Sequence, residues 1–296
     1  MEVNNTQYLP LVSVGIPVYN EQKYIRKLIQ SIISQTYTHL EIIISDNASN
    51  DKTWSIIQEF SDQRIVSFRQ SENFYAVKNF EFVLDQANGV FFIWAGGHDL
   101  WDKNMIEKCL QAYVKHQNSV LIVPKVVNLD INGNIVNSDK SYINTTLEKS
   151  QIKRAFAMYR NMNRCNAIYG LFHRETLLKT MPFPDTIDTD FIVLMKVASL
   201  GNVVSCRDSF WVRRNQRVIE TTEEKLHRYK KDLRLSPFSR KYPYLACRIA
   251  LFRELYKFNG NLLDKFFILL YFFQKRVLRK NIIKLLLSEV SNYSNL

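Results

Sequence analysis

The first half of the chain alternates between short apolar runs and helical patterns, and this alternation constrains the fold more than any other feature. Leu11–Val18 and Leu40–Ser45 are apolar or β-branched runs typical of strands, and the segment between them carries apolar residues at helical spacing. Further helices are expected near 51–60, 76–86 and 102–116, and further strands near 66–69, 90–94 and 120–127. The pattern predicts an α/β domain with a mainly parallel sheet flanked by helices. Asn132-Gly133, between apolar runs, predicts a β-hairpin.

Positive charge is concentrated in the last third of the chain. Residues 207–296 contain 20 Lys and Arg against 8 Asp and Glu, which leaves 20 of each kind in the remainder of the chain, so the net charge of +12 arises here. This shift predicts a boundary between a domain over 1–215 and a basic, amphipathic helical extension over 216–296. No motif of nucleic-acid recognition accompanies the charge, so no nucleic-acid partner is predicted.

The extension suits an anionic membrane surface. Its apolar run Phe266–Phe273 is too short to span a bilayer, and Leu278–Leu286 repeats leucine and isoleucine at helical spacing among Lys and Arg. This composition is typical of an interfacial helix, and the alternative is a helix packed on the rest of the chain or on a second subunit.

The cysteine pattern and the N-terminus bear on location. Cys109, Cys165, Cys206 and Cys247 are far apart, which predicts free thiols in a reducing compartment. We find neither a signal peptide pattern nor an apolar run long enough for a membrane-spanning helix. We therefore expect a cytoplasmic protein, peripheral at the inner face of the plasma membrane.

The apolar run Phe91–Trp94 is followed by Gly96, Gly97, His98 and Asp99. In open α/β sheets, ligands bind beyond the carboxyl ends of the strands, and glycines let the backbone approach a ligand closely. His98 and Asp99 are therefore predicted to face a ligand-binding crevice. The alternative is a strand-to-helix turn in which Asp99 caps the next helix.

Two common nucleotide-binding motifs are absent from the sequence. The first strand leads into Pro17–Glu21 rather than G-x-G-x-x-G, and no G-x-x-x-x-G-K-[ST] phosphate loop occurs, which disfavours nicotinamide dehydrogenases and P-loop NTPases. The second strand instead ends in the polar cluster Ser45–Asp51, whose side chains can bind a heterocycle or cap the next helix.

Three blocks, Val12–Glu21, Gln35–Tyr37 and Glu41–Asp51, resemble the opening of family 2 nucleotide-sugar glycosyltransferases of the GT-A fold. The similarity continues through Trp94–Leu100 to Asp190. It implies a nucleoside diphosphate-sugar donor, a saccharide or lipid-linked acceptor, and a role in surface polysaccharide or glycolipid assembly. It places the donor-binding positions at Pro17, Tyr19, Asn20, Glu21, Asp46, Asn73, Lys78, Asn79 and His98. Lys78 is alternatively a solvated helix residue.

The metal-binding D-x-D motif of that family is altered in this sequence. Gly97 stands at the first aspartate position and His98 at the middle one, so Asp99 remains as the carboxylate ligand, with His98 as a candidate imidazole ligand. The resemblance implies Mn²⁺ or Mg²⁺, and an imidazole ligand favours Mn²⁺. The alteration leaves two hypotheses open, an active enzyme and a catalytically degenerate nucleotide-sugar-binding protein.

An inverting sugar transfer needs a carboxylate that takes the proton from the acceptor hydroxyl. Pro184–Leu194 resembles the family segment in which an aspartate opens a helix near the acceptor. The resemblance implies Asp190 as this catalytic base, with Asp188 as the alternative, and helix capping is the non-catalytic interpretation of both. The expected reaction moves a sugar, of the hexosyl type, to a hydroxyl without a covalent intermediate.

Overall fold

The computed structural model describes residues 9–130, 132–138, 142–162, 165–184, 186–214, 224 and 235–266. The first part contains the predicted β-α alternation, with strands β1 (Val12–Val18), β2 (Leu40–Asp46), β3 (Ile65–Arg69) and β4 (Phe91–Trp94) and helices α1 (Ile25–Ile33), α2 (Thr53–Ile57) and α3 (Tyr75–Asp85). These strands are parallel in the order β3-β2-β1-β4. Each connection between them carries a helix, as a parallel sheet requires.

The second part adds short strands and a long hairpin. Its strands are β5 (Leu100–Trp101), β6 (Ser119–Leu129), β7 (Ile135–Ser138), β8 (Leu171–His173) and β9 (Asn202–Arg214), and its helices are α4 (Met105–Lys115), α5 (Gln151–Asn161), α6 (Arg174–Leu178) and α7 (Thr189–Leu200). A 3-10 helix, Cys165–Tyr169, precedes β8. The hairpin predicted at Asn132-Gly133 joins β6 to β7, and Gly133 has the positive φ of 87° that such a turn favours.

The complete sheet has the order β3-β2-β1-β4-β8-β6-β9-β5 among the described residues, with β7 beside β6. The β6–β9 pair is parallel, whereas β4–β8, β8–β6, β9–β5 and β6–β7 are antiparallel. Six of the nine strands therefore point the same way, which confirms the mainly parallel sheet that the sequence predicts, and β5, β7 and β8 run in the opposite direction. The sequence does not predict β5 and β8, because their two and three residues are too few to show a periodic pattern.

Both faces of the sheet are covered by helices. In β4, Phe91 and Ile93 pack into a core shared with α1 and α4, whereas Phe92 and Trp94 pack into a core shared with α3, α6 and α7. Successive side chains of a strand point to opposite faces, so burial of both faces produces the unbroken apolar run seen in the sequence.

Glu41 joins three segments at the amino ends of the parallel strands. Its carboxylate accepts hydrogen bonds from the Ser13 hydroxyl and from the backbone amides of Asn88 and Gly89. Burial alone would raise the pKa of Glu41, but these hydrogen bonds outweigh it and hold the pKa below its usual value. The ionised carboxylate therefore stabilises this edge of the sheet.

The segment after residue 234 contains helices α8 (Pro237–Lys241) and α9 (Pro243–Lys257). Leu251, Leu255 and Phe258 pack against apolar residues of α5 and α7. The residues from 267 onward, which hold most of the predicted membrane-binding segment, lie outside the described residues, as does the predicted boundary at 215–216. Within the described ranges, no helix is both long enough and apolar enough to cross a bilayer. All four cysteines are free thiols, as predicted.

Candidate active site

The residues predicted to bind the donor and the metal lie at one edge of the sheet. β1, β2 and β4 are parallel, so their carboxyl ends meet there. β8 is antiparallel to both β4 and β6, and β9 is parallel to β6, so β6 and β9 point the same way as β4. The carboxyl end of β9 and the amino end of β8 therefore join this edge, where ligands of open α/β sheets bind.

The loops after β1 and β2 hold each other in place. The backbone amide of Asn20 donates to Ser49 Oγ at 2.8 Å, and that of Glu21 donates to Thr53 Oγ1 at 2.7 Å. In return, the amide of Asn50 donates to Asn20 Oδ1 at 3.0 Å. The predicted donor-binding loop is thus fixed at its backbone. Its Tyr19 side chain is exposed, and Pro17 is buried within β1 opposite Ser45.

Asp46, at the end of β2, is a buried carboxylate with one oxygen that lacks a hydrogen-bond partner. Its Oδ1 accepts from the amide of Ser49 at 3.2 Å, whereas Oδ2 accepts no hydrogen bond. Arg69 Nε lies 3.6 Å from Oδ2, and the Arg69 guanidinium lies over the Trp54 ring. Buried polar atoms are almost always hydrogen-bonded, so Oδ2, whose charged neighbour is Arg69, is available to accept a further hydrogen bond.

Two predicted donor-binding asparagines have structural partners. Asn73 Oδ1 accepts from Asn47 Nδ2 at 2.9 Å and from the amide of Tyr75 at 2.8 Å. Asn79 Nδ2 donates to the carbonyl oxygens of Ser45 at 3.0 Å and Val18 at 3.5 Å, which joins the ends of β2 and β1. Both side chains therefore hold the edge of the sheet in shape.

Lys78 points to a protein carboxylate. Its side chain is 62% exposed, and Nζ lies 2.6 Å from Glu81 Oε2. This arrangement matches the alternative reading of Lys78 as a surface helix residue, and its role at the phosphates stays a prediction.

His98 and Asp99 follow β4 and face each other. His98 Nε2 is 3.9 Å from Asp99 Oδ1, and His98 Nδ1 is hydrogen-bonded to Glu21 Oε1 at 2.9 Å. Asp99 is buried, its carboxylate accepts from the backbone amide of Arg214, and its Oδ1 has no hydrogen-bond partner. Asp99 does not cap the next helix, because the short strand β5 intervenes and Asn104 holds the N-cap position of α4.

The electrostatics of this pair depend on burial and on opposite charges. Burial raises the pKa of Asp99 to about 7, against the opposing effect of His98 and Arg213. Burial alone would lower the pKa of His98, but the hydrogen bond to Glu21 and the charges of Asp99 and Glu21 raise it. A cation next to Asp99 would favour its ionised form.

Three further residues at this edge are absent from the predicted set. Arg213, at the end of β9, donates from Nη1 to Asn166 Oδ1 at 2.8 Å and acts electrostatically on Asp99. Tyr169 precedes β8, and burial, followed by the charges of Asp99 and Asp190, raises the pKa of its hydroxyl. The sequence offers a signal for Arg213, because a pair of arginines follows an apolar run. No local sequence pattern indicates Tyr169 or Asn166.

Asp190 and Asp188 lie at the start of α7. Asp190 is exposed in its first turn, and its charge contributes to the raised pKa of the Tyr169 hydroxyl. Asp188 holds the N-cap position with a φ of 57° but makes no side-chain capping hydrogen bond. Neither carboxylate is thus explained as the side-chain cap of α7.

The residues at this point fit a divalent cation. Asp99 Oδ1 is a buried carboxylate oxygen without a hydrogen-bond partner. A cation next to this oxygen would compensate for the missing hydrogen bond. An imidazole whose second nitrogen is held by a carboxylate is the usual arrangement of a metal-binding histidine. In the described part of the chain no cluster of three or more His, Cys, Asp or Glu could hold a metal ion, so His98 and Asp99 would need oxygen atoms from a bound phosphate to complete the coordination.

Comparison with known sequences places these features in a family. The family described as glycosyl transferase family 2 matches residues 13–179. The putative teichuronic acid biosynthesis glycosyltransferase TuaG of Bacillus subtilis is 35% identical over 108 residues, which are 36% of this chain and 43% of that protein. The chondroitin synthase of Escherichia coli is 28% identical over 155 residues, which are 51% of this chain and 23% of that protein. The matched segments span less than half of either relative.

The fold is also similar to that of a solved protein. S. aureus TarS 1-349 in complex with UDP-GlcNAc superposes with a TM-score of 0.65 at 18% identity, over 88% of this chain and 70% of that one. This likeness confirms the GT-A-type fold predicted from the sequence. The family match extends from β1 to α6 and includes Asp46, His98 and Asp99. With more than half of its residues in that match, the chain belongs to glycosyl transferase family 2.

Proposed function

We propose that the protein is an inverting glycosyltransferase that moves a sugar from a nucleoside diphosphate to an acceptor hydroxyl. One observation carries the proposal. Asp46 and Asp99 are buried carboxylates at the ends of β2 and β4, the two neighbours of β1, and each has one oxygen without a hydrogen-bond partner. Two such oxygens at the ligand-binding edge of one sheet suit a ligand with separate polar groups, such as a base and a diphosphate.

The nucleotide base binds at Asp46. Its Oδ2 can accept a hydrogen bond from a ring N–H, and the nearby Trp54 ring and Arg69 guanidinium offer planar groups beside it. The loop carrying Tyr19 and Asn20 borders this position. The likeness to TarS with UDP-GlcNAc supports a nucleoside diphosphate-sugar as the donor.

The diphosphate lies at His98, Asp99 and Arg213. His98 and Asp99 would hold a divalent cation, Mn²⁺ or Mg²⁺, which offsets the diphosphate charge and stabilises the leaving group when bound. Arg213 is held at this edge by Asn166 and supplies a fixed positive charge. The protein thereby orients the leaving group away from the acceptor.

The acceptor hydroxyl loses its proton to Asp190 as it attacks the anomeric carbon. Asp190 is exposed at the start of α7, as a base that meets an incoming acceptor must be. Asp188, two residues earlier, is the alternative base. Displacement in a single step inverts the anomeric configuration.

The acceptor is a saccharide or a lipid-linked saccharide of surface polysaccharide or glycolipid assembly. The teichuronic acid and chondroitin enzymes among the relatives support this class. We place residues 1–215 in the catalytic domain and assign the basic extension over 216–296 to an anionic membrane surface at the cytoplasmic face. The exposed side chains of Tyr256, Leu262 and Leu263, near its described end, support this assignment.

A nucleotide-sugar-binding protein without turnover is the second candidate, favoured by Gly97 in place of the first D-x-D aspartate. A panel of UDP-, GDP- and dTDP-sugars, with and without Mn²⁺, separates the two. The enzyme is expected to bind one nucleotide class in a Mn²⁺-dependent way and to release its nucleoside diphosphate. Binding without release over prolonged incubation with saccharide acceptors would support the binding protein, and no binding to any donor would contradict both.

A further inference from the structure

We propose that Glu21 is a positioning residue that holds the imidazole of His98 toward the cation at the altered motif. The proposal rests on the proposed function, because the cation is the one that would bridge His98 and Asp99 to a diphosphate. It concerns a residue 76 positions away from Gly97 in the sequence, on the loop after β1 rather than after β4.

Glu21 fills the space beside position 97. A Cβ atom on Gly97 would lie 2.7 Å from Glu21 Cγ, far inside a normal contact, and 3.2 Å from Glu21 Cβ, slightly inside one. An aspartate at position 97 and the observed Glu21 side chain therefore cannot share this space. The side chain of Glu21, from the loop after β1, therefore occupies the space that the missing Cβ atom of Gly97 leaves open.

Glu21 fixes the orientation of the His98 ring. Its Oε1 accepts a hydrogen bond from His98 Nδ1 at 2.9 Å, which leaves Nε2 as the nitrogen that faces Asp99 Oδ1. The two facing atoms are 3.9 Å apart, so His98 Nε2 and Asp99 Oδ1 are the two atoms that would hold a divalent cation here. The geometry matches the carboxylate–histidine–metal arrangement, in which the outer carboxylate sets the tautomer and strengthens the ligand.

The backbone of Glu21 is well anchored for this role. Its amide donates to Thr53 Oγ1 at 2.7 Å, and its carbonyl accepts from the amides of Tyr24 and Ile25 at 2.9 and 3.0 Å. The side chain is 16% exposed, so the hydrogen bond to His98 is largely shielded from water.

Mn²⁺ binding to the full-length protein, measured by electron paramagnetic resonance with UDP as diphosphate, tests the role of Glu21. Glu21→Ala is expected to weaken Mn²⁺ binding by roughly 10- to 100-fold, and Glu21→Gln by less, because an amide oxygen still accepts from Nδ1. The nitrogen hyperfine coupling of a bound imidazole is expected in wild type and lost in His98→Ala. Glu59→Gln, which changes an exposed glutamate paired with Arg26, is the control and should bind Mn²⁺ as wild type does.

Mn²⁺ affinity unchanged in Glu21→Ala, or no imidazole coupling in wild type, would overturn the role of Glu21. A thermal unfolding curve for each variant excludes loss of fold as the cause of a weaker signal. The proposed function fails separately. If Mn²⁺ binding depends on Glu21 but no nucleotide sugar is bound or turned over, the role of Glu21 at the metal site is supported and the glycosyltransferase function is contradicted.

Discussion

Substitution of Gly97 by alanine tests the packing of Glu21 directly. The new Cβ atom would meet Glu21 Cγ at 2.7 Å and Val18 Cγ1 at 3.1 Å, so the Glu21 side chain must move. Moving it breaks the hydrogen bond to His98, and a hydrogen bond to a charged group contributes about 1.5–3 kcal/mol to stability. Alanine has less conformational freedom than glycine in the unfolded chain, and this difference raises the free energy of unfolding by about 0.4–1 kcal/mol. We expect Gly97→Ala to lower the free energy of unfolding by about 1–2 kcal/mol.

A double-mutant cycle isolates the contact. In the Glu21→Ala background Glu21 Cγ, the atom nearest to the new Cβ, is absent. Gly97→Ala should then leave the free energy of unfolding almost unchanged. The coupling energy between the two substitutions should therefore be about 1–2 kcal/mol. Urea unfolding in the presence of a metal chelator measures all four proteins at one pH. Gly133→Ala is the control, because its site is open and remote and its cost from positive φ should be the same with and without Glu21. Equal stability of Gly97→Ala and wild type, or coupling below about 0.5 kcal/mol, would refute the packing described here.

Three further variants test other parts of the account. Glu41→Gln should be less stable than wild type near neutral pH. The difference in the free energy of unfolding should shrink as pH falls through the lowered pKa of Glu41, because a protonated carboxyl accepts hydrogen bonds less strongly. A pH-independent difference in urea titrations would contradict this. Asp190→Asn should retain donor binding but lower turnover by roughly 10²- to 10⁴-fold, and near-normal turnover would transfer the role to Asp188. Asp46→Asn should weaken binding of the free nucleoside as well as of the nucleotide sugar in calorimetry, whereas an effect on the diphosphate alone would remove Asp46 from the base site.

The β-α part of the fold follows from local patterns in the sequence. Strands β1, β2 and β4 and helix α1 form where apolar spacing predicts them, because each buries its own periodic face. β8 and β5 are too short for such a pattern, and their antiparallel pairing depends on contacts with distant strands. The sequence therefore predicts the parallel strands β1–β4 and the β6–β7 hairpin, but not the short strands β5 and β8.

The residues of the candidate site likewise differ in how far local sequence patterns predict their positions. Asp46, His98 and Asp99 directly follow predictable strands, so their convergence at one edge could be expected. The Arg213-Arg214 pair after an apolar run is a local signal, but the pairing that brings Arg213 to this edge, with β9 parallel to β6 and β8 antiparallel between β4 and β6, depends on distant strands. The contact of Glu21 with Gly97 joins two loops and is visible only in three dimensions.

A crystal structure with Mn²⁺ and the nucleoside diphosphate that binds most tightly tests the central claim most directly. The account predicts the base against Asp46 Oδ2, the diphosphate at Arg213, and an anomalous manganese peak between Asp99 Oδ1 and His98 Nε2, with Glu21 still bound to His98 Nδ1. A nucleotide bound away from Asp46, or a manganese ion held without Asp99, would contradict it.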